Sequence, residues 1–468
     1  MRIQSSYGKV TNEVVALLGQ IVGDKNVFTG DERENYSRDE APRSKAVLPE
    51  VVVRPEDTNS VAKILKLANK KSIPVTPRGG GTGLSGGAVP IYGGIVLSLE
   101  RMNRILEVDK DNFVATVEPG VAVSDLYQAV EEQGLCYPLN PGELSSTIGG
   151  NVATNAGGMR AVKYGVTRHF VLGLEAVLPS GEIIQTGGKF VKCSTGYDLT
   201  QLIAGSEGTM AVITKIMLRL ISPPGRTEIL FIPFNSLHEA IRCVPDVLKK
   251  GILPVGIEFI QKDLLNMVEQ FTGKEIPLHD HEAFLMIIVE ANDEDEIYSI
   301  SNSIGEICLN HGAIDIFVPG SERAKKNLIE ARQKVYTAMQ HFGVLDIADA
   351  VVPRSMIADF VERSKEIGDS YNIPVMAVGH AGDGNVHLSL MGKGTDLPEE
   401  KAKELLTRIY EVGVSLGGTI SGEHGIGFAK KGYLPMAVDK SKINLMKRVK
   451  QAFDPNSIMN PGKLFDLE

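Results

Sequence analysis

Residues 77–87 read PRGGGTGLSGG, with six glycines among the nine positions 79–87. So many glycines disfavour both helix and strand, because each costs backbone entropy and none packs a side chain. The flanking stretches, IPVTP at 73–77 and GGIVLSL at 93–99, are typical of short buried strands. A flexible linker is the alternative, but linkers rarely join two core strands. We therefore interpret the stretch as an ordered loop whose backbone N–H groups, with the hydroxyls of Thr82 and Ser85, receive phosphate oxygens.

The composition is that of a globular protein with more than one domain. The chain has 468 residues, of which 43% are hydrophobic and 23% charged, and two or three domains are expected at this length. A net charge of −9 argues against nucleic acid as the main partner. The four cysteines form no CxxC pair, which disfavours an iron–sulfur cluster or a zinc knuckle. Any redox chemistry is therefore expected to use another cofactor.

The apolar run at 14–23, VVALLGQIVG, predicts an amphipathic helix rather than a signal peptide, because Glu13 precedes it and Gln20 interrupts it. No stretch approaches the roughly 18 apolar residues of a membrane span. We expect a cytoplasmic protein with no transmembrane segment.

The order of strand and helix patterns divides the chain into four segments. Residues 1–45 form a helical lead-in, and residues 46–222 a first α+β domain that ends at SPPGR, 222–226. Residues 140–158, NPGELSSTIGGNVATNAGG, are interpreted as a second glycine-rich loop of that domain. Two strand–helix–strand units then predict a ferredoxin-like layer with helices on one face, within a domain at 226–420. Residues 421–468 carry further glycine loops and are expected to return to the first domain.

The stretch GHAGDGNVH at 379–387 predicts a hairpin, because the flanking residues are apolar and AGDGN is turn chemistry. Its two histidines, His380 and His387, can point into the same space. With Glu423 from SGEHGIG at 421–427 they would form an open site for zinc, manganese or iron. The alternative is that these histidines are hydrogen-bonded residues of a polar turn.

Two more residues are candidates for catalysis. His424 follows Glu423 directly, so its side chain points elsewhere and is available as a general base, or alternatively as a residue that orients a metal ligand. Arg332, in a helical stretch, is a candidate to bind a substrate carboxylate through two hydrogen bonds. Most helical arginines are instead solvated surface residues.

Taken together, PRGGGTGLSGG, the NPG…GGNVATNAGG stretch, the GHAGDGNVH hairpin, SGEHGIG and the terminal NPGKLF resemble the FAD-linked 2-hydroxyacid dehydrogenases and oxidases. That family includes glycolate oxidase flavoprotein subunits, D-lactate dehydrogenases and D-2-hydroxyglutarate dehydrogenases. The likeness runs nearly from end to end of the chain.

The resemblance implies an FAD-binding domain of the vanillyl-alcohol-oxidase type, followed by a ferredoxin-like substrate or cap domain. It implies that His380, His387 and Glu423 hold a divalent metal, that His424 is the base and that Arg332 holds the substrate carboxylate. No histidine follows the first loop in the position that tethers flavin in some relatives, so FAD is expected to be non-covalent. The implied cofactor-binding residues are Pro77, Arg78, Gly79, Gly80, Gly81, Thr82, Gly83, Leu84, Ser85, Gly86, Pro141, Gly142, Ser146, Gly149, Gly150, Asn151, Thr154, Asn155, Gly157, Gly158 and Asn460, the last near the isoalloxazine ring.

The activity that the resemblance implies is oxidation of a small 2-hydroxy acid, with D-lactate or lactate as the first choice, to the 2-oxo acid by hydride transfer to FAD. Electrons would pass to a partner protein, either an electron-transferring flavoprotein or an iron–sulfur subunit. Glycolate and D-2-hydroxyglutarate are alternative substrates, and quinone an alternative acceptor. A flavin reductase of a cell-wall sugar pathway, a metal hydrolase and a non-catalytic nucleotide-binding subunit are the competing interpretations.

Overall fold

The computed structural model describes residues 7–277, 280–392 and 397–467, and the chain divides into two compact units. The first unit takes the described residues of Met1–Ala156, Val166–Pro223 and Glu423–Glu468. The second takes those of Gly157–Gly165 and Pro224–Gly422. In the described part of the chain, no helix combines the length and the apolar character that crossing a membrane requires.

The strands, in chain order, are β1 Val27–Phe28, β2 Val51–Val53, β3 Val75–Arg78, β4 Ile95–Ser98, β5 Ile105–Asp109, β6 Val114–Val117, β7 Val171–Val177, β8 Ile183–Gly187, β9 Val212–Arg219, β10 Arg226–Phe234, β11 Gly256–Gln261, β12 Ala283–Ala291, β13 Val344–Val351, β14 Val375–His380 and β15 Asn385–Met391. The α-helices are α1 Asn12–Val22, α2 Thr58–Lys70, α3 Val123–Glu131, α4 Ile148–Thr154, α5 Ala161–Tyr164, α6 Leu199–Ile203, α7 Leu237–Lys249, α8 Lys262–Thr272, α9 Glu294–Asn310, α10 Glu322–Gln333, α11 Val335–Phe342, α12 Ile357–Ser370, α13 Glu399–Ser415, α14 Leu434–Ala437 and α15 Lys440–Phe453.

The first unit contains two sheets. One has the order β1-β2-β4-β3, with β2, β4 and β3 parallel, and the other is antiparallel in the order β5-β6-β9-β7-β8. Helix α2 connects β2 to β3 and starts after Asp57, whose carboxylate accepts the Ser60 N–H at 2.8 Å. Its apolar side packs on the parallel strands, as shown by the buried side chains of Ile64 and Val75. The glycine-rich loop therefore begins where a buried parallel strand ends.

The second unit is built on one antiparallel sheet in the order β10-β12-β11-β14-β15-β13. Both halves of this sheet follow a β-α-β-β-α course, β10-α7-β11-β12-α9 and then β13-α12-β14-β15-α13, and the first half has the additional helix α8 between β11 and β12. Isolated bridges at Phe317 beside β10 and at Thr419 beside β13 complete each half. The unit is thus two ferredoxin-like halves joined through β11 and β14. The predicted fold class is confirmed. The two strand–helix–strand segments recognised in the sequence form the first half, and the second half was not recognised there.

Helices cover both faces of this sheet, contrary to the expectation of one face. Helices α8, α10 and α11 supply Leu264, Leu328 and Ala338 to a core that includes Phe231 of β10. The neighbouring Leu230 is fully buried outside that core, because its side chain points to the opposite face. A strand whose two faces are both apolar requires a layer on each side, and here both are present.

The units differ from the segments predicted from the sequence in three places. The described residues of the predicted lead-in, 1–45, belong to the first unit, and residues 421–422 belong to the second unit rather than to the segment that returns to the first. Residues 157–165 interrupt the first unit and pack with the second, where Met159 is buried in the core. The Lys163 ammonium lies 3.0 Å from the Glu290 carboxylate, and the Tyr164 hydroxyl donates to the same group at 2.5 Å. These contacts explain why residues 157–165 pack with the second unit, because a buried carboxylate needs hydrogen-bonding partners.

A further difference lies inside 140–158, which was interpreted as a loop. Residues Ile148–Thr154 form α4, capped by the Thr147 hydroxyl, which accepts the Gly150 N–H at 3.3 Å. Glycine disfavours helix locally, but a Cβ at Gly149 would overlap Pro119. Close packing of the backbone therefore decides the residue type at this position.

Candidate cofactor and active site

In the loop that follows β3, the carbonyl groups and the N–H groups of the backbone have different partners. The Ser85 carbonyl accepts the N–H groups of Phe428 and Ala429, at 3.0 and 2.9 Å. The Gly83 carbonyl accepts the Glu40 N–H at 3.0 Å. Within the described residues, the N–H groups of residues 80–87 donate to no protein acceptor. The carbonyl side is thus bound by protein, while a run of donors remains available for a ligand.

The two glycine-rich stretches meet in the first unit. A Cβ on Gly79 would overlap the Thr147 hydroxyl, and a Cβ on Gly80 would lie 3.6 Å from the Ser145 carbonyl oxygen. Gly81 and Gly86 have φ of +76° and +75°, which disfavours any other residue. Bare backbone on two adjoining segments, with donors unused, fits the pyrophosphate of a dinucleotide such as FAD.

Several predicted cofactor residues have roles in holding these segments. The Arg78 guanidinium donates to the carbonyl oxygens of Arg38 and Asn35, at 2.8 and 3.3 Å. The Asn155 side chain accepts the Arg168 N–H at 3.0 Å. The Asn460 amide donates to the carbonyl oxygens of Gly87 and Glu207, at 3.0 and 2.8 Å. All three side chains therefore form hydrogen bonds with backbone groups of the protein.

The remaining predicted residues divide between the units. Those of the first unit lie in the two stretches already described: Pro77, Thr82, Leu84, Pro141, Gly142, Ser146, Asn151 and Thr154. Gly157 and Gly158 belong to the second unit and are not grouped with the others. Their contact with a cofactor stays a prediction.

In the second unit the predicted hairpin is formed by β14 and β15. The register pairs His380 with Asn385 and Val378 with His387, so the two histidines are diagonal neighbours on one face. Their Nε2 atoms lie 3.4 Å apart, and the rings are nearly perpendicular, at 88°. Two nitrogens bound about 2.0–2.1 Å from a tetrahedral ion lie about 3.3–3.4 Å apart, so this pair fits two ligands of one metal.

A buried carboxylate fixes the first histidine. Glu258 on β11 lies opposite His380 in the sheet, and its Oε1 is 2.7 Å from the His380 Nδ1. Its Oε2 is 2.7 Å from the Arg332 guanidinium at the end of α10. Burial acts to raise the pKa of Glu258, but the charges of His380 and Arg332 outweigh burial and hold that pKa below its ordinary value. An ionised Glu258 requires the proton on Nδ1, which leaves Nε2 as the basic nitrogen.

A second buried carboxylate supports the neighbouring segment. Asp349 on β13 accepts hydrogen bonds from the Asn385 amide at 2.7 Å, the Ser421 hydroxyl at 2.9 Å and the Gly422 N–H at 3.0 Å. Its Oδ1 lies 3.7 Å from the His387 Nδ1, which is beyond hydrogen-bond distance. Asp349 therefore anchors the chain immediately before Glu423.

The predicted residues Glu423 and His424 belong to the first unit, one peptide beyond Gly422. Both are partly buried, with the His424 Nε2 4.0 Å from the Glu423 Oε1. The Ser85 hydroxyl donates to the His424 carbonyl oxygen at 2.9 Å, which ties this segment to the glycine-rich loop.

Sequence reasoning missed Glu258 and Asp349. Glu258 is the one charged residue of VGIEFI at 255–260, and Asp349 lies with Asp346 in the mostly apolar VLDIADAV at 344–351. Both Glu258 and Asp349 are 0% exposed. An acid in the middle of a buried strand was the available signal, because such a group is retained only where it is paired.

Two family models account for most of the chain. Residues 49–187 match the FAD binding domain, and residues 223–464 match the C-terminal domain of FAD linked oxidases. The chain belongs to the FAD-linked oxidases. This confirms the family predicted from the sequence and the FAD cofactor. It also confirms the predicted enzyme class, an FAD-dependent 2-hydroxyacid dehydrogenase.

Curated relatives cover nearly the whole chain of this FAD-linked oxidase. It is 44% identical to an uncharacterized FAD-linked oxidoreductase of Mycobacterium tuberculosis, over 97% of this chain and 99% of that protein. It is 40% identical to a D-lactate dehydrogenase of Anaerostipes hadrus, over 98% of both chains. It is 38% identical to a glycolate oxidase subunit of Bacillus subtilis, over 97% of both chains.

Solved structures of the same fold include p-cresol methylhydroxylase with substrate bound, at a TM-score of 0.82 and 18% identity over 97% of both chains. The 4-ethylphenol oxidase of Gulosibacter chungangensis aligns at a TM-score of 0.80 and 19% identity, over 98% of this chain and 99% of that one. These likenesses show the vanillyl-alcohol-oxidase type of fold.

Proposed function

We propose that this FAD-linked oxidase oxidises a small 2-hydroxy acid, D-lactate or lactate, to the 2-oxo acid. The observation that carries the proposal is the pair of adjoining imidazoles, His380 and His387, oriented by Glu258 in a chain whose relatives include D-lactate dehydrogenases. Both imidazoles belong to the second unit, whereas the glycine-rich loop belongs to the first, so the pair favours a second ligand site.

The proposal gives each residue a role that its chemistry supports. His380 and His387 would hold a divalent metal through Nε2, with Glu423 as third ligand. A bound zinc, manganese or iron ion would supply the charge that lowers the pKa of the substrate hydroxyl. His424 would accept that hydroxyl proton, and Arg332 would bind the substrate carboxylate. Bound FAD would supply the two-electron acceptor for the hydride of the α-carbon.

The ion pair with Glu258 bears on the role proposed for Arg332. One terminal nitrogen already lies 2.7 Å from Glu258, while the buried Nε has no hydrogen-bond partner in the part of the chain that the structure describes. A guanidinium has five N–H donors, so Arg332 retains donors for a carboxylate. Glu258 would then orient it toward the substrate.

A glycolate or D-2-hydroxyglutarate dehydrogenase is the second candidate, favoured by the glycolate oxidase relatives. The partner in either case would be an electron-transferring flavoprotein or an iron–sulfur subunit. The cytoplasmic location expected from the sequence stays a prediction.

The test is anaerobic bleaching of the flavin spectrum by a panel of D- and L-2-hydroxy acids. D-lactate should bleach the oxidised flavin band fastest, and added chelator should slow bleaching without releasing FAD. A yellow protein that no 2-hydroxy acid reduces would exclude the proposed activity and favour a non-catalytic nucleotide-binding subunit.

A further inference from the structure

We propose that Asn460 and Lys463 are positioning residues for the FAD phosphates. They lie in NPGK at 460–463 and hold the downstream end of the glycine-rich loop by its carbonyl groups. The inference rests on FAD binding by this loop and assigns Asn460 a different task from contact with the isoalloxazine ring.

The first observation is the position of Lys463. Its ammonium donates to the Val89 carbonyl oxygen at 2.6 Å and lies 3.4 Å from the Asn460 Oδ1. Lys463 is only 3% exposed, although lysine is almost never buried without a specific partner. Burial lowers the pKa of Lys463 to about 7, against the opposing effect of the Asp39 and Glu207 carboxylates. The buried ammonium therefore holds the backbone just beyond the glycine-rich loop through the Val89 carbonyl oxygen.

The second observation is that Asn460 holds three separate segments together. Its side-chain amide donates to Gly87 and Glu207, and its own N–H donates to the Val75 carbonyl oxygen at 2.8 Å. Asn460 adopts φ of +40°, a conformation that asparagine tolerates better than most residues. Asn460 thereby ties the C-terminal segment both to β3, which precedes the loop, and to Gly87 at the end of the loop.

The third observation concerns Ser85, in the middle of the loop. Its carbonyl accepts two N–H groups from residues 428 and 429, and a Cβ on Gly427 would overlap that oxygen. Because a trans peptide is planar, holding the Ser85 carbonyl turns the Gly86 N–H to the opposite side. The Glu207 carboxylate in turn accepts the Gly427 N–H at 2.7 Å. The C-terminal segment therefore fixes the direction of the Gly86 N–H, for which the described residues provide no acceptor.

Preorganised donors bind an anion without the cost of ordering the loop at the moment of binding. Loss of the Lys463 contact should therefore lower the affinity for every ligand that carries the pyrophosphate. The affinity for ligands that lack the pyrophosphate should not change. The flavin ring alone should bind as before.

The experiment compares the apoprotein with Lys463→Met and Asn460→Ala by calorimetric titration with FAD, ADP and riboflavin. We expect Kd for FAD and for ADP to rise by about ten- to a hundredfold in both variants, as for the loss of one charged or two neutral hydrogen bonds, with Kd for riboflavin unchanged. Lys215→Met is the control, because Lys215 pairs with Glu175 in the same unit and, among the described residues, has no hydrogen bond to the loop. Thermal unfolding of each apoprotein checks that it is folded.

Two results would overturn the inference. One is Kd for FAD and ADP within twofold of wild type in both variants. The other is an equal loss of riboflavin and ADP affinity, which would mean a general loss of structure. A wild-type protein that fails to bind FAD at all would instead refute the proposed function together with this inference.

Discussion

At the scale of single residues, Glu258 connects two groups that the proposed reaction uses. Its two oxygens are divided between His380 and Arg332, and it is 0% exposed. Glu258→Gln keeps the shape of the side chain but removes its charge, so His380 loses the partner that fixes its tautomer. We expect metal affinity to fall by about 10- to 100-fold. Metal content after dialysis at fixed free zinc measures the change.

Glu290→Gln is the matched control for this variant. Glu290 is also a buried carboxylate of the second unit, but it pairs with Lys163 and Tyr164 rather than with a histidine. Metal content should stay at the wild-type level in Glu290→Gln. If metal loss is equal in both variants, or if Glu258→Gln loses none, then Glu258 does not orient His380 as a metal ligand.

The two histidines could be predicted from the sequence, whereas the pairing of His380 with Glu258 could not. His380 and His387 flank one turn, and turn chemistry is local. Glu258 reaches His380 only because β11 pairs with β14, across 122 positions of chain. Strand pairing over that distance is decided by burial of the whole sheet and leaves no local pattern.

At the scale of elements, the first loop was predicted and helix α4 was not. The loop was recognised because its glycines exceed what any helix or strand tolerates. In α4, tertiary packing against Pro119 overrides the poor helix propensity of two glycines. Covering helices on the second face of the large sheet were missed for a similar reason, since β10 and β12 are apolar on both faces.

The loop glycines separate two effects of an added side chain. A Cβ on Gly79 overlaps Thr147, whereas the nearest atom to a Cβ on Gly80 is 3.6 Å away. Gly79→Ala should therefore lower the unfolding temperature of the apoprotein, and Gly80→Ala should leave it within about 2 °C of wild type. Both should lower FAD content, Gly79→Ala because the loop must shift away from Thr147, and Gly80→Ala because its methyl group would stand where a phosphate is expected. If Gly80→Ala retains full FAD content and affinity, the phosphates do not lie against that residue.

At the scale of the whole molecule, Lys463 gives folding stability a defined pH dependence. The charged groups that act on it are Asp39, Glu207 and Lys431. Its pKa of about 7 in the folded protein lies below the ordinary value of 10.5, so between these values the unfolded chain binds more protons. The contribution of Lys463 to stability therefore rises with pH above about 7, by up to about 1.4 kcal/mol per pH unit, and is constant below it.

The difference in free energy of unfolding between wild type and Lys463→Met reports this contribution together with its electrostatic coupling to Asp39, Glu207 and Lys431, because groups away from Lys463 titrate alike in both proteins. Chemical denaturation of the apoproteins at pH 6, 7, 8 and 9 should give a difference that is flat at low pH and then changes in favour of wild type. A difference independent of pH from 6 to 9 would mean that Lys463 keeps an ordinary pKa.

The fate of the electrons is also a property of the whole molecule. Cys136 and Cys193 belong to the first unit, and Cys243 and Cys308 to the second, where their sulfurs are 3.6 Å apart in the core. Neither pair supplies the four thiolates of an iron–sulfur cluster, so we expect the next electron carrier to be on another protein, with an electron-transferring flavoprotein favoured. Stopped-flow reoxidation of the substrate-reduced protein tests this. Oxygen alone should reoxidise it far more slowly than turnover, and added electron-transferring flavoprotein should restore the rate. Reoxidation by oxygen at the turnover rate, unchanged by that partner, would make the protein an oxidase without a partner.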